Sequence, residues 1–231
     1  MINEIKNIYK NKYNFIDDLK DIHTLLNTDL ISPEDKEYHK IIPIFGKTCR
    51  KSVFVRDFYE FYDKDSILNN SYIHLINTQI KPLFKEDKLI VQKTPNIRIH
   101  IPNCTNIGKL ESDPNETIIG LHNDNRFGHP EEEINFVYAI TDMYDTNSIY
   151  YESLPNSNIK IEKFNKLKLK SGEIWYGHLN KCLHYNKINK TNKTRISLDF
   201  RVIPYSNLKK NNNSVSFHSK KFIVGDYYTI I

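Results

Sequence analysis

Cysteine is scarce: Cys49, Cys104 and Cys182 are the only three in 231 residues. Their spacing fits neither a zinc knuckle nor a disulfide framework, and an odd number suits a reducing compartment. Long apolar runs are missing too. None approaches the ~20 residues that a bilayer-spanning helix requires, and Met1-Ile2-Asn3-Glu4-Ile5-Lys6 lacks the apolar stretch of a secretion signal. The expectation is no membrane association and a cytoplasmic location. The Asn-x-Thr triplets at Asn115, Asn189 and Asn192 then read as chance products of an asparagine-rich chain. There is no internal repeat and no linker-like stretch, so one domain over residues 1–231 is expected.

Charge of one sign is not concentrated anywhere. The net charge is +5, but the lysines are scattered, and the densest group, Lys209-Lys210-Asn211-Asn212-Asn213, reads as a solvated loop. That disfavours nucleic acid as a partner; a small polar or anionic substrate suits the balance equally well. What the chain has in quantity is aromatic bulk. Fifteen Tyr and twelve Phe, with many Ile, can bury a sizeable core.

The hydrophobic pattern changes character near residue 88. Before it, apolar residues recur every three or four positions, over residues 2 to 30 and again from Phe54 to Ile80, which predicts amphipathic helices with Pro82 closing the second stretch. After it come short Ile-, Val-, Tyr- and Phe-rich runs with alternating polarity: 88–92, 96–101, 116–122, 134–141, 148–152, 159–164, 173–176 and 195–203. Residues 222–228 could add one more. Short strands at this spacing indicate a sandwich or barrel rather than a βαβ sheet. The expected fold is mainly β with flanking helices, residues 1–87 forming a mainly helical buttress to a β-core over 88–231.

Two short stretches carry the chemistry. His122 and Asp124, two apart on an extended strand end, project to the same side. His184 follows 60 positions after Asp124 (184 − 124). Two imidazoles and a carboxylate make the facial triad of mononuclear non-haem Fe(II) sites, which keeps three coordination positions open. A lone His-x-Asp would be a weak signal among nine histidines, and His178 competes with His184 for the third place. The polar segment 186–193 suggests a hairpin that would set His184 opposite Arg195. Beyond it Arg195, Ser197, Asp199 and Arg201 alternate with Ile196, Leu198, Phe200 and Val202. The polar set is either a solvent-facing strand surface or the inside of a barrel mouth. In the second case the forked guanidinium of Arg195, with the hydroxyl of Ser197, suits a dicarboxylate.

The order His122-x-Asp124, His184, Arg195-x-Ser197 resembles the double-stranded β-helix (jelly-roll, cupin-like) Fe(II)/2-oxoglutarate-dependent oxygenases. The stretches His122 to Pro130, Glu133 to Phe136 and Thr194 to Val202 resemble the streptomycin-biosynthesis-type branch, which includes carbohydrate-cluster members related to phytanoyl-CoA-type hydroxylases. The resemblance covers roughly residues 88 to 231. It implies Fe(2+) held by His122, Asp124 and His184, with 2-oxoglutarate anchored by Arg195 and Ser197 and O2 as co-oxidant. A carboxylate at position 124 argues against a halogenase, which needs that position free for halide. Asn135 is a candidate for contact with the cosubstrate, or else a ladder-bonded strand residue. Gln92, Arg98 and Arg201 are candidates at the substrate or cosubstrate, Arg201 being the runner-up as dicarboxylate anchor. Trp175 and Tyr176 read as core, and Cys182 as a small buried hydrophobe. The branch implies a sugar, nucleotide-sugar or polysaccharide precursor as substrate. The alternatives are the same chemistry on an amino acid, lipid or peptide, and a non-oxidative metal-binding jelly-roll such as an isomerase or ligand-binding module. Oligomeric state is not legible.

Overall fold

The computed structural model of the protein describes residues 1–5, 53–64, 66–100, 119–191, 193, 195–208 and 221–231. Expectations for most of 2–30, for Cys49 and Cys104 and for the lysine cluster at 209–213 lie outside these residues. Helix α1 (Val53–Lys64) is followed by α2 (Ser66–Leu75), a π-helical turn at Ile76–Ile80 and a 3-10 turn at Lys81–Leu83 that contains Pro82. Pro82 ends the helical stretch as expected, and Phe84 is already extended.

Ten strands follow. They are β1 (Leu89–Gln92), β2 (Asn96–His100), β3 (Ile119–His122), β4 (Ile134–Ala139), β5 (Ile149–Tyr151), β6 (Asn165–Lys166), β7 (Ile174–Gly177), β8 (His184–Asn186), β9 (Arg195–Pro204) and β10 (Tyr228–Ile230). They form two antiparallel sheets. One runs β10-β1-β9-β4-β7 with β2 also on β9, and the other runs β3-β8-β5-β6. This is the mainly β, cupin-like jelly-roll core with helices to one side. Strand β9 is its spine, pairing with β1 and β2 along one edge and with β4 along the other.

Alternation along β9 sorts its two faces. Ile196, Leu198, Phe200 and Val202 turn outward into a cluster with Phe58, Tyr62, Leu68, Tyr72, Ile76 and Ile80 of the helical segment. Phe136 of β4 stacks on Phe200 at 5.4 Å, and Tyr72 meets Phe200 edge-on at 5.3 Å. With helices covering that face, the polar residues Arg195, Ser197, Asp199 and Arg201 point between the sheets. Their face is the interior of the sandwich, not the solvent surface.

Three expectations are corrected. β8 and β9 do not form the expected hairpin, because these strands belong to different sheets: His184 pairs with His122 and Tyr151, while Arg195 pairs with His100. Residues 159–164 are largely a 3-10 turn, Ile161–Lys163, entered through the positive-φ residues Asn156 and Asn158. The last strand begins only at Tyr228, after a turn through Gly225 at φ 101°. That left-handed conformation is one glycine adopts without a Cβ clash. Among the described residues no helix is long and apolar enough to cross a membrane.

Candidate metal centre

His122 ends β3, and a local irregularity in the β3–β8 pairing puts it directly opposite His184. The irregularity rests on Gly120, whose φ of 66° bends the strand so that the Gly120 carbonyl accepts a hydrogen bond from His122 Nδ1. His184 Nδ1 donates in the same way to the carbonyl of Cys182, at 3.1 Å. A carbonyl only accepts, so each Nδ1 carries a proton, which leaves Nε2 as the ring atom turned towards a prospective ion.

Asp124 opens a 3-10 turn, Asp124–Phe127, capped by the side chain of Asn123, which accepts from Arg126 N, and closed by Gly128 at φ 87°. The turn is laced to the loop before β8 by Asp124 N to Leu179 O (3.3 Å) and Asn125 N to Asn180 O (2.9 Å). The elements carrying all three side chains are therefore fixed to each other. Asp124 Oδ1 lies 3.7 Å from both His122 Nε2 and His184 Nε2. One ligand atom from each residue falls within 4.8 Å of the others. Burial, reinforced by the neighbouring His184, pushes the His122 imidazole down to about 4, so it is neutral at physiological pH. Burial opposes ionisation of Asp124, but the Arg201 guanidinium together with the neighbouring His184 and His129 outweighs it and holds the carboxyl far below its usual range. Three electron-pair donors thus converge on one point with no proton at His122 Nε2 or Asp124 to share. Such a cluster fits a divalent cation.

Asp124 Oδ2 is occupied differently. It accepts from Asn135 Nδ2 and from an Arg201 terminal nitrogen, each at 2.8 Å. Asn135 and Arg201 are direct register partners on β4 and β9. The backbone N–H of Asn180 donates to Asn135 Oδ1 at 2.8 Å, which fixes the amide's orientation. Arg201 also donates to Asp199 at 2.8 Å and lies 4.0 Å from Glu133. Asp199 takes Arg98 Nε at 2.7 Å and Asn96 at 2.7 Å; burial opposes its charge, but Arg98 and Arg201 bring its carboxyl down to about 2. Charges therefore alternate from Asp124 through Arg201 and Asp199 to Arg98. Behind them the fully buried Glu133 receives His129 Nδ1 and the Tyr228 hydroxyl.

Arg195 is completely buried and donates to Ser197 Oγ (3.0 Å) and to Asn186 Oδ1 (3.1 Å), which reaches it from the opposite sheet. Asn135 thus hydrogen-bonds Asp124 and Asn180, and the two terminal nitrogens of Arg201 hydrogen-bond Asp199 and Asp124, while its Nε is buried without a hydrogen-bond partner among the described residues. Arg98, 29% exposed on the inner face of β2, keeps only Nε on Asp199. Buried Gln92 turns its amide NH2 to Thr94 O. His178 is exposed and is not among the converging residues. Cys182 is buried, its thiol pushed up to about 11 by burial. Tyr176 departs from expectation: it stacks on Phe136 but is 56% exposed. Sequence reasoning did not single out Glu133 or Asn186. Asn186 was within reach, being two residues beyond His184 and therefore on the same face of β8.

Two sheets enclosing a half-buried and a buried histidine with a buried carboxylate define a double-stranded β-helix with a mononuclear metal-type site, and at these residues the chain resembles the Fe(II)/2-oxoglutarate oxygenase superfamily. No family model matches the chain. It is similar to the streptomycin biosynthesis protein StrG of Streptomyces griseus, 23% identical over 186 residues, covering 80% of this chain and 79% of StrG. Among solved structures it is similar to the non-heme monooxygenase ThoJ in its apo form, with TM-score 0.44 and 14% identity over 88% of this chain and 70% of that one. It is also similar to SnoN, a non-heme alpha ketoglutarate dependent epimerase from nogalamycin biosynthesis, with TM-score 0.42 and 13% identity over 72% of this chain and 74% of that one.

Proposed function

We propose that the protein is an Fe(II)/2-oxoglutarate-dependent oxygenase in which His122, Asp124 and His184 hold the metal. The observation that carries this reading is the convergence of two imidazole Nε2 atoms and a single carboxylate oxygen inside the sandwich, with the second oxygen tied elsewhere. When bound, Fe(II) with 2-oxoglutarate and O2 supplies an oxidative decarboxylation, to succinate and CO2, that activates a substrate C–H bond. The protein's own groups hold and orient. The guanidinium of Arg195, with Ser197, receives the distal carboxylate of the cosubstrate as a forked, charge-assisted pair. Asn186, which touches Arg195, lies two residues past His184, roughly 7 Å along the strand. That offset is comparable with the reach of a five-carbon dicarboxylate. Arg98 directs its free terminal nitrogens to an anionic or hydroxylated part of the substrate. Phe127, 43% exposed and edge-on to His122 at 5.2 Å, offers a face beside the metal.

For the substrate we favour a sugar, nucleotide-sugar or polysaccharide precursor processed in the cytoplasm, a reading supported by the similarity to a streptomycin biosynthesis protein. The test is succinate release from 2-oxoglutarate by the iron-loaded protein against panels of nucleotide-sugars, amino acids and acyl substrates. Stimulation by the sugar panel alone is the expected result. Stimulation only by amino acids or acyl compounds reassigns the substrate, and no succinate under any condition favours a non-oxidative metal-binding jelly-roll.

A further inference from the structure

Asp124 carries more restraint than a metal ligand needs. A free carboxylate can bind a divalent ion through one oxygen or both. Here Oδ2 accepts two hydrogen bonds of 2.8 Å, from Arg201 and Asn135, while Oδ1 alone faces His122 and His184. Neither donor is free to follow Oδ2 if it swings. Asn135 is locked by the Asn180 N–H on its other side, and Arg201 by Asp199 and the nearby Glu133. Rotation of the carboxylate would strand a buried guanidinium and a buried amide, each a costly loss.

We propose that Arg201, seconded by Asn135, is a positioning residue that restricts Asp124 to one-oxygen ligation and so keeps three coordination positions open. The inference rests on the metal-centre reading above. If Oδ2 were released, Asp124 would chelate the ion and occupy a position that the cosubstrate needs. Metal affinity would hold or rise while cosubstrate affinity fell. A merely structural role predicts the reverse, with both affinities declining together as the site loosens.

The experiment uses full-length protein loaded with Mn(II), in wild-type, Arg201→Lys and Asn135→Ala forms. Water-proton relaxation counts the waters on the ion, and titrations give the Mn(II) and 2-oxoglutarate dissociation constants. Three waters are expected in the wild type, and relaxivity about one-third lower in Arg201→Lys as one open position closes. The 2-oxoglutarate dissociation constant should rise at least about tenfold, with Mn(II) binding unchanged or tighter. Asn135→Ala should shift both readouts the same way by less, and it decides the matter alone if Arg201→Lys does not fold. Wild-type relaxivity in the folded variants, or parallel loss of both affinities, overturns the proposal. If 2-oxoglutarate fails to displace water even in the wild type, the oxygenase reading falls, while the relaxivity comparison still reports on Arg201.

Discussion

His122 and His184 stand directly opposite each other on neighbouring strands, ring centroids 4.3 Å apart, each with its Nδ1 turned back onto a carbonyl two residues earlier. Two imidazoles held this close and this way round gain little from each other. Their geometry makes sense as a pair of donors to a third party, with Asp124 Oδ1 completing the set.

Removing ligands should separate metal binding from stability. His122→Ala is expected to weaken Fe(II) binding by at least about a hundredfold while changing the metal-free protein's stability by less than about 1 kcal/mol, since its imidazole is half-buried and uncharged. Asp124→Ala should lose the metal equally and also destabilise the fold by about 3 kcal/mol, because Arg201 loses a buried counter-charge. Isothermal titration and urea unfolding of the metal-free proteins check both arms. Equal stability loss in the two variants would contradict the role given to Arg201.

Arg195→Ala is expected to raise the 2-oxoglutarate dissociation constant by about ten- to a hundredfold, the size of one or two lost charge-assisted hydrogen bonds, with Fe(II) affinity unchanged. Ser197→Ala should do the same more weakly. An unaltered 2-oxoglutarate affinity in Arg195→Ala, measured by titration of the iron-loaded protein, would move the anchor to another cation, Arg98 being the nearest candidate on the inner face.

The metal-free protein should weaken in mild acid. His122 has a folded-state pKa of about 4 against an ordinary 6.5. On acidification the unfolded chain therefore takes up this proton first. Its contribution is fully present above about 6.5, declines as pH falls towards 4 and is flat below, a change of about 3 kcal/mol. Because removing this side chain costs little at neutral pH, the urea midpoint of wild type should fall from near that of His122→Gln at pH 7 to below it at pH 4. Parallel curves would show that His122 is not the group responsible.

Tyr228→Phe removes the hydroxyl donor to the buried carboxylate of Glu133. A loss of about 1–3 kcal/mol is expected, the cost of leaving a buried acceptor short of a partner. Thermal unfolding reads it directly. An unchanged midpoint would mean that His129 alone satisfies Glu133.

How much of this was legible in the sequence depends on how local each feature is. His122 and Asp124 share a side because two residues of extended chain put them there, and the alternation along β9 correctly grouped Arg195, Ser197, Asp199 and Arg201. Strand positions were read well wherever a run of alternating residues has a sheet partner. Ile159 and Ile161 alternate without one, and the segment turns instead. The larger miss was the imagined hairpin between His184 and Arg195. Periodicity tells which residues share a face but not which sheet a strand joins, and in a jelly-roll successive strands can change sheets. The same blindness hid Glu133, whose role arises only when Tyr228 and Arg201 arrive from strands some 70 to 95 positions away (201 − 133 = 68 and 228 − 133 = 95). It also hid the pairing of Arg201 with Asp124.

Chelation of 2-oxoglutarate on the iron is read most directly by an anaerobic titration of the metal-free protein with Fe(II) and 2-oxoglutarate, followed by visible absorbance. A weak charge-transfer band that needs both components, and that is lost in Asp124→Ala, is the predicted result. Iron demonstrably bound with no band on adding 2-oxoglutarate would contradict the account.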